Sequence, residues 1–514
     1  MMTRAPRSVR RWWVLAVLAV TQLMVALDAT VINIALPRAQ VALHFSTANR
    51  QWVITAYALA FGSLLLLGGR LSDLWGRRTT LVIGLVGFAL ASAVGGAADS
   101  FTMLVSARAV QGAFGALLAP AGLATLTTTF TRPRERATAF SIFAVVAGSG
   151  AAVGLLLGGA LTQWASWRWC LFINLAFAAI ALVGVVAFVG AGRATHATHL
   201  DLVGTVLGSG GLFLVVYGFA HAVTASWGAP ATWGSLVAGV LTVSGFVVWQ
   251  QRATHPLLPL RVILNRTRAG SLVALFITNV GIFGVSLFLA YYLQSTLGYS
   301  PLRTGVAFLP LVVAIGVSAG VASARLLATV GPRPLVPAGM LLATLGMILF
   351  TRLTVQANYL GNVLPGLVVT GLGLGLIFAP ATASATAGVQ RADAGAASAF
   401  VNAVQQIGGS VGVALLNTIA VSVGARALAH APSAPSHVAA AAVVARATLH
   451  GDAVAFWWAA GFFVVGTLVS AGLLPSGVPD HDTGDVADAA PSVGVPARPR
   501  RSRAGRVLRG AVDG

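Results

Sequence analysis

Long apolar runs, each about 20 residues, alternate along this chain with short polar stretches rich in Gly, Pro and Arg. Twenty apolar residues in a helix span the hydrocarbon of a bilayer. The pattern predicts fourteen spans, at 12–36, 51–69, 79–98, 103–126, 137–162, 168–190, 200–221, 233–250, 269–291, 302–326, 334–351, 360–385, 396–425 and 453–474. Backbone groups in lipid must be satisfied within their own segment, so runs of this length are helices.

Composition agrees with that reading. The 514 residues are 57% hydrophobic and 9% charged, which excludes an ordinary soluble domain. A net charge of +20 would point to nucleic acid in a soluble protein, but here topology explains it, and no nucleic-acid partner is expected. Every basic residue except His is Arg, and the arginines are distributed unequally. The N-terminus and alternate loops carry Arg4, Arg7, Arg10, Arg11, Arg70, Arg77, Arg78, Arg132, Arg134, Arg136, Arg193, Arg252, Arg261, Arg266, Arg268, Arg325, Arg333 and Arg391. The opposite loops carry Arg38, Arg50, Arg168, Arg303, Arg352, Arg426 and Arg446. By the positive-inside rule both termini are expected in the cytoplasm. The first apolar stretch is too long for a cleavable signal and reads as the first span. Cys170 is alone, which excludes an internal disulfide. From Pro475 the composition shifts to a tail expected to be disordered. The stretch 431–450 reads as the longest external connection, with room for a short Ala-rich helix.

A repeat divides the chain. GRLSDLWGRRTTL, after the second span, has a worn counterpart in ARLLATVGPRPL, after the tenth. Arg70, Leu71, Gly76 and Arg78 align with Arg325, Leu326, Gly331 and Arg333, while Asp73 meets Ala328. Pro120 in span four likewise aligns with Pro380 in span twelve. Two six-helix halves so related are a transporter architecture, with spans seven and eight inserted between them.

Chemistry concentrates at few positions. Asp28 is the one acid that falls deep inside a predicted span. A charge at the bilayer centre costs about 2.5–3.5 kcal/mol on insertion scales, and a carboxylate can escape that cost by taking a proton. Thr21, Met24 and Asp28 share a helical face, which suggests a carboxylate looking into a lined cavity. The plain alternative is a structural Asp tied to backbone or to an Arg. Arg108 shares a face of span four with Gln111, Gly112 and Gly115, and its field would oppose the effect of desolvation on Asp28. Alternatively it snorkels to the interface. Gly150, Gly154 and Gly158, followed by Gly159, form a groove for another helix backbone. In GRLSDLWGRR, Asp73 is placed to pair with Arg77 and to meet the N-terminus of span thirteen, unless the loop's arginines serve topology alone. Ser398, Asn402, Gln405, Gln406 and Gly409 form one polar stripe, and Asn279 with Ser286 a thinner one, suited either to substrate or to helix packing. No phosphate-binding loop is visible, so uphill transport must draw on an ion gradient. All nine His read as lying in loops or at helix ends, without metal-ligand spacing.

These motifs occur together, and in order. From Trp13 to Leu474 the chain resembles the fourteen-span drug:proton antiporters of the major facilitator superfamily, the EmrB/QacA type. LDATVINIALP looks like that family's span-one motif, GRLSDLWGRR its loop motif and RAVQG its span-four motif; WRWCLFIN and PLLPLRVILNRT are similar to further stretches. The resemblance implies an all-α major facilitator fold and proton-driven export of hydrophobic compounds. It implies coupling at Asp28 and Arg108 and a gate at Gly69, Asp73, Gly76, Arg77 and Arg78. It departs at span five, where the family's antiporter motif has Pro after its central Gly and this chain has Leu155. Relatives that handle cationic drugs often carry another acid in the second half; none is seen here, so multivalent cations are not expected as substrates.

The expected organisation is a cytoplasmic N-terminus at 1–11, a first half at 12–190, the inserted pair at 191–250, a second half at 251–474 and the tail at 475–514. The expected function is export of lipophilic drugs or antibiotics in exchange for protons, by a monomer in the plasma membrane with no cofactor. Gln111, Asn279, Asn402, Gln405 and Gln406 are the expected substrate-lining residues. The nearest alternative exports one metabolite or self-made natural product. A membrane acyltransferase would need a surface His–acid pair that is absent from the sequence, and a non-transporting sensor would have no use for Asp28 and Arg108 within the membrane.

Overall fold

A computed structural model describes residues 7–190, 201–224, 226–254, 256–257, 265–389, 394–431 and 437–474. The tail at 475–514, the opening of the inserted pair at 191–200, Arg193, Arg261, Arg391 and most of PLLPLRVILNRT lie outside these residues. Among the described residues, fourteen helices are long and apolar enough to cross a membrane.

The first half comprises α1 (Arg7–Leu43), α2 (Trp52–Trp75), α3 (Arg77–Gly96), α4 (Phe101–Thr129), α5 (Pro133–Trp164) and α6 (Trp169–Phe188). The inserted pair is α7 (Leu202–Thr224) and α8 (Pro230–Arg252). The second half comprises α9 (Arg266–Tyr291), α10 (Pro301–Val321), a short α11 (Leu327–Val330), α12 (Pro332–Phe350), α13 (Leu364–Thr386), α14 (Ala394–Ala429) and α15 (His437–Leu473). A π-helical turn, Ala322–Leu326, joins α10 to α11, so the last four spans are α12 to α15. Several starts follow local chemistry: the Ser100 and Ser300 hydroxyls accept from the amides of Met103 and Arg303, and Pro301 and Pro332 occupy first turns, where no amide hydrogen is needed.

The sequence repeat reappears as a packing repeat. In the first half α1 packs on α5 and α6, α2 on α4, and α3 on α4 and α6. In the second half α9 packs on α14 and α15, α10 on α13, and α12 on α13 and α15. The halves meet through α2 against α14 and α5 against α10, again a symmetric pair. Gly76 and Gly331 have φ of 80° and 74°, and each ends one helix and starts the next. Pro120 and Pro380 lie inside α4 and α13. The inserted pair attaches through α7, where Thr418 of α14 donates to the Phe219 carbonyl at 2.8 Å and Ser209 donates to that of Ser63 at 3.4 Å. Asp201 binds the pair together, accepting from Trp249 at 2.8 Å and Gln250 at 2.6 Å.

On the face where α1 begins, arginines cap the carbonyl ends of distant helices. Arg10 donates to the Phe188 carbonyl, Arg78 to that of Val186, Arg266 to that of Gly472, and Arg268 to those of Ala387 and Gly388. A cation there meets the negative end of the helix dipole, so these residues serve the fold as well as topology. On the opposite face, which we term the far face, α5 and α10 touch: a Cβ on Gly159 would lie 2.7 Å from the Leu302 Cα, and one on Gly305 2.3 Å from the Leu155 carbonyl oxygen. Further along these helices, Cβ positions at Gly148, Gly316 and Gly320 would have nothing within 4 Å. The halves are in backbone contact at the far face.

Predicted boundaries move at several helix ends: α1 runs on to Leu43, α2 runs on to Trp75 through most of the expected loop motif, and the last span moves furthest. The fourteenth span does not begin at 453; α15 runs unbroken from His437 and absorbs much of the expected loop at 431–450. The Ala-rich run is helical, as its side chains favour, but it continues into the span. His450 accordingly lies inside α15, not at a helix end.

Candidate coupling site and gates

Asp28 is fully buried at the meeting of four helices. Its Oδ2 accepts from Arg108 Nη1 of α4 at 2.7 Å, and its Oδ1 accepts from Gln111 Nε2 at 2.8 Å and from Asn174 Nδ2 of α6 at 2.7 Å. Ser92 Oγ of α3 accepts from Gln111 at 2.6 Å and from Asn174 at 3.4 Å. Arg108, 1% exposed, also donates to Gln111 Oε1 at 2.6 Å and to the Val53 carbonyl at 3.2 Å, and stands 4.3 Å from the Tyr57 ring centroid. Three donors on two carboxylate oxygens suit an ionised acid; a protonated one would need an acceptor for its own hydrogen. Arg108 is thus not a snorkelling residue but the buried partner of Asp28.

Two expectations change here. Asp28 does not look into a cavity with Thr21 and Met24, because Arg108, Gln111 and Asn174 enclose it; Thr21 spends its hydroxyl on the Val17 carbonyl. Gln111 is not substrate-lining, since both ends of its amide are used within the network. Asn174 and Ser92 were missed. Asn174 sits in the noted stretch WRWCLFIN, and its position as a lone amide in an apolar helix was the available signal. Ser92 gave none.

The α5 glycines hold the turn of α1 that carries Asp28. Cβ atoms at Gly150, Gly154 and Gly158 would lie 2.6 Å from the Ala26 Cβ, 2.0 Å from the Thr30 Oγ1 and 2.9 Å from the Val31 carbonyl oxygen. Gly159 faces the other half instead. Just before the loop motif, close approach is required at Gly68, where a Cβ would lie 2.1 Å from the Ala116 carbonyl oxygen; at Gly69, the motif's first residue, it would meet only Pro120, at 3.7 Å. The expected Asp73–Arg77 pair is not formed. Gly76 breaks the helix between them, so they belong to α2 and α3; Arg77 donates to Thr128 Oγ1 at 2.7 Å, and Asp73 is exposed with no hydrogen bond among the described residues.

The polar stripe of α14 is divided among neighbours. Gly409 packs on Phe283 of α9, the Gln406 Cβ packs on Gly62 of α2, and Asn402 is exposed and donates to the Ser398 carbonyl at 3.0 Å. Gln405 and Gln406 are half-buried and form no side-chain hydrogen bond among the described residues, so their amides are available. Asn279 is not: it is 5% exposed and donates to its own helix at the Leu275 carbonyl, 2.8 Å away. Ser286 likewise bonds to Ile282.

A polar set on the far face joins the halves, and sequence reasoning named none of it as functional. Arg50 Nε donates to Asn417 Oδ1 at 2.9 Å, Tyr291 to Gln40 Oε1 at 2.5 Å, and Gln294 to the Ile34 carbonyl at 3.0 Å. The Arg50 guanidinium lies 4.3 Å from the Tyr291 ring centroid. Near it, Asp452 of α15 is 7% exposed, a second acid buried in a membrane helix. Asp28 is therefore not the only one, and the second half does contain an acid. The misplaced start of the last span concealed it.

Comparison with known proteins agrees with the fold and the motifs. The Major Facilitator Superfamily profile matches residues 18–413. A puromycin resistance protein of Streptomyces alboniger is 47% identical over 494 residues, covering 96% of each chain. A cephamycin export protein of Amycolatopsis lactamdurans is 38% identical, covering 77% of this chain and 82% of its own. The crystal structure of a D-xylose–proton symporter matches with a TM-score of 0.63 at 16% identity, covering 90% of this chain and 98% of that one. With its fourteen membrane helices, its paired halves and these matches, the chain belongs to the major facilitator superfamily of multi-pass membrane transporters.

Proposed function

We propose that this protein exports a lipophilic antibiotic or related natural product across the plasma membrane in exchange for protons, with the near face and both termini in the cytoplasm. The observation that carries the reading is the Asp28 site. A carboxylate sealed in the first half accepts from one permanent cation and two amides, so a proton arriving on either oxygen competes with the donor already there. The α5 groove transmits such a change, because it grips the α1 turn bearing Asp28 while Gly159 and Leu155 touch α10 of the other half. In this orientation substrate loads from the cytoplasmic side beside the free amides of Gln405 and Gln406. Protonation of Asp28 from outside, substrate release outside and deprotonation inside complete an antiport cycle that needs no cofactor. The arginine-rich near face supports the orientation. The relatives' names, each giving one antibiotic, favour a narrow substrate range. Purified protein in proteoliposomes, loaded with puromycin as the probe, tests the proposal: an imposed pH gradient should drive uphill movement, and collapsing it should stop the flux. Flux unchanged after collapse would reject proton coupling.

A further inference from the structure

Asp452 lies outside the coupling site, and the exchange cycle above makes no use of it. It lines a small cavity with Phe288, Tyr292, Phe350, Leu353 and Phe456. That cavity measures about 10 Å³, the size of a single water position. Asp452 is 7% exposed, and its carboxylate accepts no hydrogen bond among the described residues. Its charged neighbour is Arg50, 3% exposed, whose positive charge acts on the carboxylate. Phe288, which shares the cavity with Asp452, has its ring 5.8 Å from the Arg50 guanidinium carbon.

The groups facing Asp452 are few. The π-helical turn after α9, Tyr292–Thr296, brings the Tyr292 phenol, which donates to the Thr354 carbonyl at 2.8 Å, while Tyr291 at the end of α9 stacks on Arg50. From α12 and the segment after it, Phe350 and Leu353 line the cavity. Toward α14 the neighbouring Gly451 meets Ala420 and Gly424, neither of them charged. Arg50 is the cation whose charge acts on Asp452, and it belongs to the first half of the chain, between α1 and α2.

We propose that Asp452 is a second proton-binding site, and that its ionised carboxylate, through Arg50, holds the two halves together at the far face. Arg50 reaches across to Asn417, Tyr291 and the field of Asp452, all in the second half. When the halves separate there, Arg50 leaves, and Asp452 is left as a buried anion without a counter-charge. Such a group is costly unless a proton arrives. A proton from far-side water, delivered through the one-water cavity, neutralises Asp452 and removes the attraction that closes the face. Low pH outside therefore favours the outward-open form. The inference rests on the orientation proposed above and adds a site at which external acid acts.

Spin labels at Trp164→Cys and Leu360→Cys, in a Cys170→Ser background, report far-face opening in nanodiscs, since both positions are exposed and lie in different halves. No substrate or gradient is needed, so a failure of drug export would not disturb the reading. With Asp28→Asn silencing the first acid, lowering the pH from 8 to 5 should shift the distance distribution longer. Adding Asp452→Asn should give the longer distances at pH 8 and abolish the response. Arg50→Gln should also open the face at pH 8, and Asp452→Glu should keep the pH response, which separates charge from misfolding. Absence of a pH response in Asp28→Asn, or its survival in Asp28→Asn/Asp452→Asn, would overturn the proposal.

Discussion

Arg108 and Asp28, 80 residues apart in the chain, meet at 2.7 Å with side chains only 1% and 0% exposed. Asp28→Asn keeps the shape and the amide contacts but cannot carry a proton. We expect folded, inserted protein with no gradient-driven export in inside-out vesicles. Active efflux at the wild-type rate would remove Asp28 from the coupling role.

Breaking that pair from the other side should show in stability. Arg108→Gln leaves Asp28 ionised and uncompensated, a change that costs about 3–5 kcal/mol when the pair is buried. The double variant Asp28→Asn/Arg108→Gln should recover most of it, without recovering transport. Thermal melting in detergent reads both effects; equal destabilisation of single and double variants would argue against an ionised pair.

Gly76 and Gly331 predict a matched effect in the two halves. Their positive φ suits glycine, and an alanine there stores about 1–3 kcal/mol of strain. Each Gly→Ala variant should melt earlier by a similar amount. Asp73→Ala, at an exposed and unbonded position, should leave the melt unchanged while slowing turnover more than it weakens binding. A large loss of substrate affinity in Asp73→Ala, with normal cycling, would contradict a gating role.

Two glycines of α5 should part company. Gly154 has no room for a side chain, its Cβ position falling 2.0 Å from Thr30 Oγ1, whereas Gly148 has nothing within 4 Å. Gly154→Leu should therefore separate α5 from α1 and abolish export. Gly148→Ala should be neutral or gain about 0.4–1 kcal/mol by restricting the unfolded chain. Comparable activity in both variants would show that the groove does not grip α1 as described.

Substrate charge gives a further test. Asp452 is a second buried acid, but it faces Arg50 at the far face and not the amides of Gln405 and Gln406, so a dication still lacks a second counter-charge there. Matched monocationic and dicationic ligands should compete unequally, in favour of the former, and Gln405→Ala with Gln406→Ala should raise KM more than it lowers kcat. Robust transport of the dication that survives those substitutions would refute this account of the binding surface.

The sequence by itself determined the membrane architecture, because lipid makes the same demand of every spanning segment. Apolar runs long enough to cross had to be helices, the arginine bias marked one face, and the Gly76 and Gly331 motifs announced two halves. Asp28 and Arg108 were legible as well, since a charge inside an apolar run stands out locally. Tertiary structure alone decided which polar groups meet. Asn174 lies 146 residues from Asp28, and Arg50 lies 367 from Asn417, distances at which no local periodicity carries information. It also parted Asp73 from Arg77, because a single positive φ at Gly76 sends neighbouring residues into different helices. Asp452 was hidden for the same kind of reason: helix continuity through an Ala-rich segment is secured by packing against α9, α12 and α14, and only that packing turns a residue at the predicted edge of a span into a buried acid.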